Sequence, residues 1–208
     1  MIFDDVVLST LRTSVRERLS DKRYLHTLGV EEMAKFLGRI LVPEKLGELC
    51  AAALLHDIAK ELTFDDQMAI LSSSDVIYTE EDVLAKAALH SIVAVPVIKR
   101  DFPEYTTVDI ISAVANHTLG KDGMSTFDEI IFVSDYSEAG RTYPSCRKVR
   151  EYLLKNISAD KTPDENLKVL HAASLDAVNF TIESLVSRGE QIHSRTFSTK
   201  AYLESIIR

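Results

Sequence analysis

His56 and Asp57 stand side by side in the run Ala53-Leu54-Leu55-His56-Asp57-Ile58-Ala59-Lys60, and no other stretch limits the fold so tightly. Small residues and leucines at this density read as a buried helix. Burying an imidazole beside a carboxylate there is costly unless their polar atoms are compensated. A metal ion compensates both at once, because it takes a neutral imidazole nitrogen and an ionised carboxylate together. The rest of the chain offers partners on similar faces. His26 shares a stripe with Val30, Met33 and Leu37; His56 follows Leu49 and Ala53; His117 follows Ile110 and Ala113; Asp135 follows Phe127 and Ile131. Taken singly, His26 reads as an ordinary hydrogen-bonded core histidine, Asp135 as a capping or ion-paired aspartate, and His90-Ser91 as the start of a helix. Taken together, the order His26, His56-Asp57, His90, His117, Asp135 points to one convergent site. His171 and His193 have no such context and read as ordinary.

The periodicity is helical throughout, and no alternating strand pattern runs for more than a few residues. Val6 to Leu19 reads as a first helix and Lys22 to about Ile40 as a second, with Asp21 as its cap. Pro43 suits the first turn of the helix that carries His56. Thr63 caps a short helix to Leu71, and Thr79-Glu80-Glu81-Asp82 opens another. A helix around Ile92 to Arg100 contains Pro96, which must lie near its start or kink it. Thr107 to His117 follows, then a Gly120-Gly123 loop, a buried helix capped by Ser125, and a loop from Gly140 to Pro144. The chain closes with helices over about Cys146–Ile157, Thr162–Arg188 (ended by Gly189) and Ser198–Ile207. The expectation is an all-α fold, a single helical domain over 1–208. Its core covers about 20–140, with C-terminal helices over about 145–208 packing on it. Leu167, Leu170, Leu175 and Val178 of the long helix could serve a homodimer, although ordinary core is the simpler use.

A net charge of −8 and a pI near 5.3 exclude a non-specific nucleic-acid binder, which needs a basic surface. A small phosphorylated ligand needs only a few local cations. Cys50 and Cys146 are too few and too far apart for a disulfide framework or a thiolate metal motif. No apolar run approaches the roughly 18 residues needed to cross a bilayer, and the N-terminus lacks the pattern of a signal peptide. The expected setting is the cytoplasm, without membrane or nucleic-acid partners.

The motif set resembles the HD-domain metal-dependent phosphohydrolase superfamily, and within it the bacterial YqeK family of symmetrical diadenosine-tetraphosphate hydrolases. The matching stretches are Leu54–Lys60, Ala88-Leu89-His90-Ser91, Ala115–Gly120 with Met124 beyond, and Ile130–Arg141. The histidine-aspartate doublet marks the superfamily. The His117-Thr118 element and the Asp135, Glu138, Arg141 element mark the narrower family. Ser91, Ser134 and Ala139 depart from that family's usual glycine, alanine and proline. The resemblance implies two divalent or mixed-valence metal ions. His26, His56, Asp57 and Asp135 would hold one, and Asp57 would bridge to a second held by His90 and His117. It favours iron, while the ligand types also admit manganese or zinc. It further implies cleavage of diadenosine tetraphosphate to two ADP by attack of a metal-bridging hydroxide. Asp57, Lys60 and Arg141 would be catalytic, and Lys60, Arg141 and Glu138 would contact the small nucleotide. Lys60 is expected one helical turn beyond His56 on the same face. Lys121 and the Arg147-Lys148-Arg150 cluster read as solvated surface. Two other readings remain: an HD-domain hydrolase of another nucleotide (a nucleoside mono- or triphosphate), and a non-catalytic helical nucleotide-binding module.

Overall fold

In the computed structural model, which describes residues 3–207, every regular element among the described residues is helical. In chain order the α-helices are α1 (Asp5–Arg16), α2 (Asp21–Leu41), α3 (Leu46–Leu55), α4 (Phe64–Ser72), α5 (Glu80–Leu84) and α6 (Lys86–Asp101). They are followed by α7 (Val108–Asn116), α8 (Thr126–Ser137), α9 (Pro144–Asn156), α10 (Pro163–Ser187) and α11 (Ser194–Ile206). One-turn 3-10 segments at Pro43–Lys45 and Pro103–Tyr105 precede α3 and α7.

Local chemistry sets most boundaries. The hydroxyls of Thr63, Thr79, Thr107, Ser125 and Thr162 each accept an otherwise orphaned backbone N–H at a helix start. At α2 the cap is Ser20 rather than Asp21, which is already helical. Ser20 in turn donates its own N–H and hydroxyl to Glu61, at 2.7 and 2.5 Å. That clamp ties the start of α2 to the turn beyond His56. Helix α6 begins at Lys86, well before Ile92, so His90 lies inside it and Pro96 in its second half. Helix α11 begins at Ser194, four residues earlier than its apolar spacing indicates, because the His193 side chain caps it.

Helix α3 is the axis of the bundle. From Leu49 to Leu55 every residue is buried, and its alanines let neighbouring backbones approach closely. Helix α2 packs on α3 and α8, α7 bridges α3, α6 and α8, and α4 and α5 lie against α6. Val30, Leu37, Leu49, Leu54, Ile110, Ile130 and Ile131 form the shared core. Helices α9 and α10 cover α8. A smaller apolar cluster of Met124, Phe132, Ala177, Val178 and Leu203 seats α11. Leu170 and Val178 of α10 are thus core of this chain, and Leu175 packs on the smaller cluster.

Candidate metal centre

Two of the helices end on a histidine in the same way. His56 terminates α3, and its Nδ1 lies 2.6 Å from the Ala53 carbonyl; His117 terminates α7, with Nδ1 2.7 Å from the Val114 carbonyl. A carbonyl only accepts, so Nδ1 carries the proton in both rings and the Nε2 lone pair points inward. His56 Nε2 is fully buried without a hydrogen-bond partner. From α6, His90 brings Nε2 to 3.1 Å from His117 Nε2. Burial, joined by the neighbouring His117, pushes the His90 pKa down to about 4 against the pull of Asp57, so the ring is neutral at pH 7.

Asp57 divides its two carboxylate oxygens. Oδ1 faces His90 Nε2 at 3.1 Å and His117 Nε2 at 3.7 Å; Oδ2 faces His56 Nε2 at 3.4 Å and His26 Nε2 at 3.6 Å. Oδ2 also accepts from Arg23 Nη1 at 2.7 Å. Burial opposes ionisation of Asp57, but the polar groups around both of its oxygens outweigh it and hold the carboxyl well below the usual carboxylate range. Asp135, near the end of α8, places Oδ1 3.0 Å from His26 Nε2 and 3.9 Å from His56 Nε2. Behind His26, Nδ1 sits 3.1 Å from Glu138 Oε1. Burial would lower the His26 pKa; the adjoining carboxylates of Asp135 and Glu138 reverse that and raise it to about 9.

These groups suit a cation. Ligand atoms of His26, His56 and Asp135 lie within 4.8 Å of one another, as do those of His56, Asp57 and His117. His26 Nε2 is close to Asp135 yet not aligned for a hydrogen bond, and like His56 Nε2 it is a buried nitrogen without a partner. Buried, unpartnered ring nitrogens converging beside carboxylates are costly unless a positive ion occupies their common focus. The structure therefore brings together all six residues that the sequence singles out: His26, His56, Asp57, His90, His117 and Asp135.

The surrounding cations differ from expectation. Residues 56–61 form a chain of tight turns rather than more helix, so Lys60 does not continue the face of His56. Its Nζ lies 3.1 Å from the Ala87 carbonyl and 3.2 Å from His90 Nδ1. Arg141 donates to Asp135 twice, Nη2 to Oδ1 at 2.6 Å and Nε to the backbone carbonyl at 3.0 Å. Glu138 is buried against His26 and also accepts the Gly140 amide. Sequence reasoning missed Arg23, although it sits three residues before His26, on the same face of α2. Of the basic residues read as solvated surface, Arg147 and Lys148 are exposed, and Lys121 and Arg150 are half-buried. Lys121 pairs with Asp128, Lys148 lies over the Phe180 ring, and Arg147 and Arg150 donate to backbone carbonyls. His171 pairs with buried Glu129, and His193 with Asp82.

Two cavities are lined by residues of the centre, and a third lies against their neighbours in the chain. One of about 850 Å³ is lined by His26, Lys22, Arg23, Leu25, Arg141 and Tyr143 among others. A second, of about 370 Å³, includes Asp135, Arg141, Tyr143 and Arg188. A third, of about 440 Å³, lies against Lys86–Ala88 and Thr118, next to His90 and His117 in the chain.

A helical bundle whose helix ends and helix faces aim histidines and aspartates at one buried point is the architecture of a metal-ligating enzyme domain. The HD domain model matches residues 23–140, and the chain belongs to the HD domain family. It is 28% identical over 191 residues to the symmetrical bis(5'-nucleosyl)-tetraphosphatase of Halalkalibacterium halodurans, covering 89% of this chain and 90% of that protein. It is 27% identical over 192 residues to the Bacillus subtilis protein of the same name, covering 92% and 94%. A solved structure, of a predicted HD superfamily hydrolase involved in NAD metabolism from Clostridium acetobutylicum, superposes with a TM-score of 0.81. There the identity is 27%, with 95% of this chain and 97% of that one covered. No helix among the described residues is long and apolar enough to cross a membrane.

Proposed function

We propose that this HD-domain hydrolase cleaves diadenosine tetraphosphate symmetrically into two ADP. The observation that carries the reading is Asp57, whose two oxygens face two separate histidine groups. One carboxylate so placed serves a two-ion centre. His26, His56, Asp57 and Asp135 would hold one ion, and Asp57, His90 and His117 the other. Iron is the metal we favour, with manganese or zinc admitted by the same oxygen and nitrogen donors. Bound there, two such ions would lower the pKa of a water and polarise a phosphoryl oxygen. The relatives' names, shared over about nine-tenths of both chains, support the tetraphosphate as substrate.

The chain's own residues do the rest. Nδ1 of His56 and of His117 donate to carbonyls, which fixes both rings with Nε2 toward the centre. Glu138 accepts from His26 Nδ1 and so orients His26 rather than touching substrate. Arg23, Arg141 and Lys22 line the cavity beside His26 and balance the charge of the phosphate chain on an otherwise acidic protein. Lys60, beside His90, adds charge where an equatorial phosphoryl oxygen needs it. Both cysteines are free and buried, in keeping with a reducing cytoplasm.

The test is a product analysis. Protein purified with little exposure to oxygen is given diadenosine tetraphosphate, and the nucleotides are separated. Two ADP alone is the expected result. ATP with AMP would keep a hydrolase and remove symmetrical cleavage. Preference for a mononucleotide across a substrate panel would replace the substrate altogether.

A further inference from the structure

We propose that Tyr143 is a nucleobase-stacking residue of this enzyme, a specificity element that rests on the nucleotide-hydrolase reading above. A nucleotide carries two chemistries, an anionic phosphate chain and a flat π-faced base, and each needs its own surface. The cavity beside His26 supplies the first in Lys22, Arg23 and Arg141. It supplies the second in Leu25 and Tyr143, which are 68% and 70% exposed. Apolar groups that line one cavity with cationic side chains offer a flat, apolar ligand group a surface beside the site for its charge. Tyr143 also lines the neighbouring cavity with Asp135 and Arg141, so it stands at the junction of two chambers that both reach the metal centre.

What separates Tyr143 from an ordinary surface tyrosine is how its backbone is mounted. It precedes Pro144, which restricts it to the extended conformation observed, φ −61° and ψ 142°. Its carbonyl accepts the Arg147 amide at 3.0 Å, and Arg147 Nε donates to the Thr142 carbonyl at 2.9 Å. Arg150 Nη1 grips the carbonyls of Ser137, Glu138 and Arg141, at 3.2, 2.6 and 3.2 Å. The loop is thus fixed on both sides of a ring that faces solvent. A ring presented this way loses little backbone freedom when a base stacks on it, so the contact reaches the binding energy nearly undiminished.

The chain contains no tryptophan, so Tyr143→Trp places a single tryptophan, excited apart from the tyrosines, at the position in question. ADP is expected to quench it saturably, while inorganic pyrophosphate and ribose 5-phosphate leave it unchanged. In turnover of diadenosine tetraphosphate, Tyr143→Ala is expected to raise KM about tenfold, with kcat moving less, and Tyr143→Phe to restore KM. Quenching by pyrophosphate equal to that by ADP, or no quenching by ADP, overturns the proposal. So does a Tyr143→Ala protein with the wild-type KM. If the wild-type protein leaves diadenosine tetraphosphate intact, the substrate reading fails by itself, and ADP quenching of the tryptophan variant still decides the stacking role.

Discussion

Glu138 is enclosed on three sides, by His26 Nδ1, by the Gly140 amide and by the bare Cα of Gly29. A Cβ at Gly29 would overlap Glu138 Oε2, so Gly29→Ala displaces the carboxylate that orients His26. Losing such an outer partner typically lowers metal affinity by about 10- to 100-fold. Metal content after dialysis against a weak chelator should fall in this variant while far-UV circular dichroism stays that of a folded helical protein. The same histidine gives a pH prediction for metal-stripped protein. Its pKa is raised to about 9, with burial opposing and Asp135 and Glu138 supporting the charged form. A raised pKa contributes stability that is complete below the unfolded value of roughly 6.5 and lost as pH climbs through the folded value. The melting temperature of the stripped protein should therefore decline between about pH 6.5 and 9, and Glu138→Gln should shrink that decline. Metal loading must expel this proton, so protons should be released on loading at pH 7.

At the scale of elements, α3 ends without any glycine or proline at the stop, and that is why its boundary is illegible, whereas the end of α7 at His117 is read correctly from its spacing. Sequence periodicity carries the helix of His56 on to Ile58. In the folded chain the imidazole takes the Ala53 carbonyl that the next turn of helix would have used. The apolar faces behind each ligand were legible, because burial repeats every three or four residues whatever the tertiary partner. Arg23 was not, since an arginine one turn before a histidine is common on any solvated helix. Its significance lies in Asp57, thirty-four positions away. The role of α11 was equally hidden. Arg195 Nη2 donates to Asn116 Oδ1 at 2.6 Å and to the Gly120 carbonyl at 3.0 Å, and Thr199 donates to the Leu119 carbonyl at 2.9 Å. The last helix thus braces the loop that follows His117. Arg195→Ala should lower stability by about 1–2 kcal/mol. It should also slow turnover beyond what that loss of folded protein explains, as comparison of denaturant midpoint with kcat will check.

For the molecule as a whole, the centre is also a fastener between distant parts of the chain. His26 and Glu138 stand 112 positions apart, and α2, α3, α6, α7 and α8 all send residues to one point. Removing metal with a strong chelator should lower the melting temperature and abolish turnover together, and both should return on adding the metal back. An acidic molecule with a cationic cavity should also bind its anion less well in salt. KM for a tetraphosphate is expected to rise several-fold between about 50 and 500 mM salt, as screening shortens the reach of Lys22 and Arg23. The divided carboxylate of Asp57 has a consequence of another kind. Whatever settles one oxygen also fixes the orientation of the other, so the two histidine groups cannot fill independently. Occupancy should be cooperative, with half-filled molecules scarce at limiting metal and the population split between empty and complete.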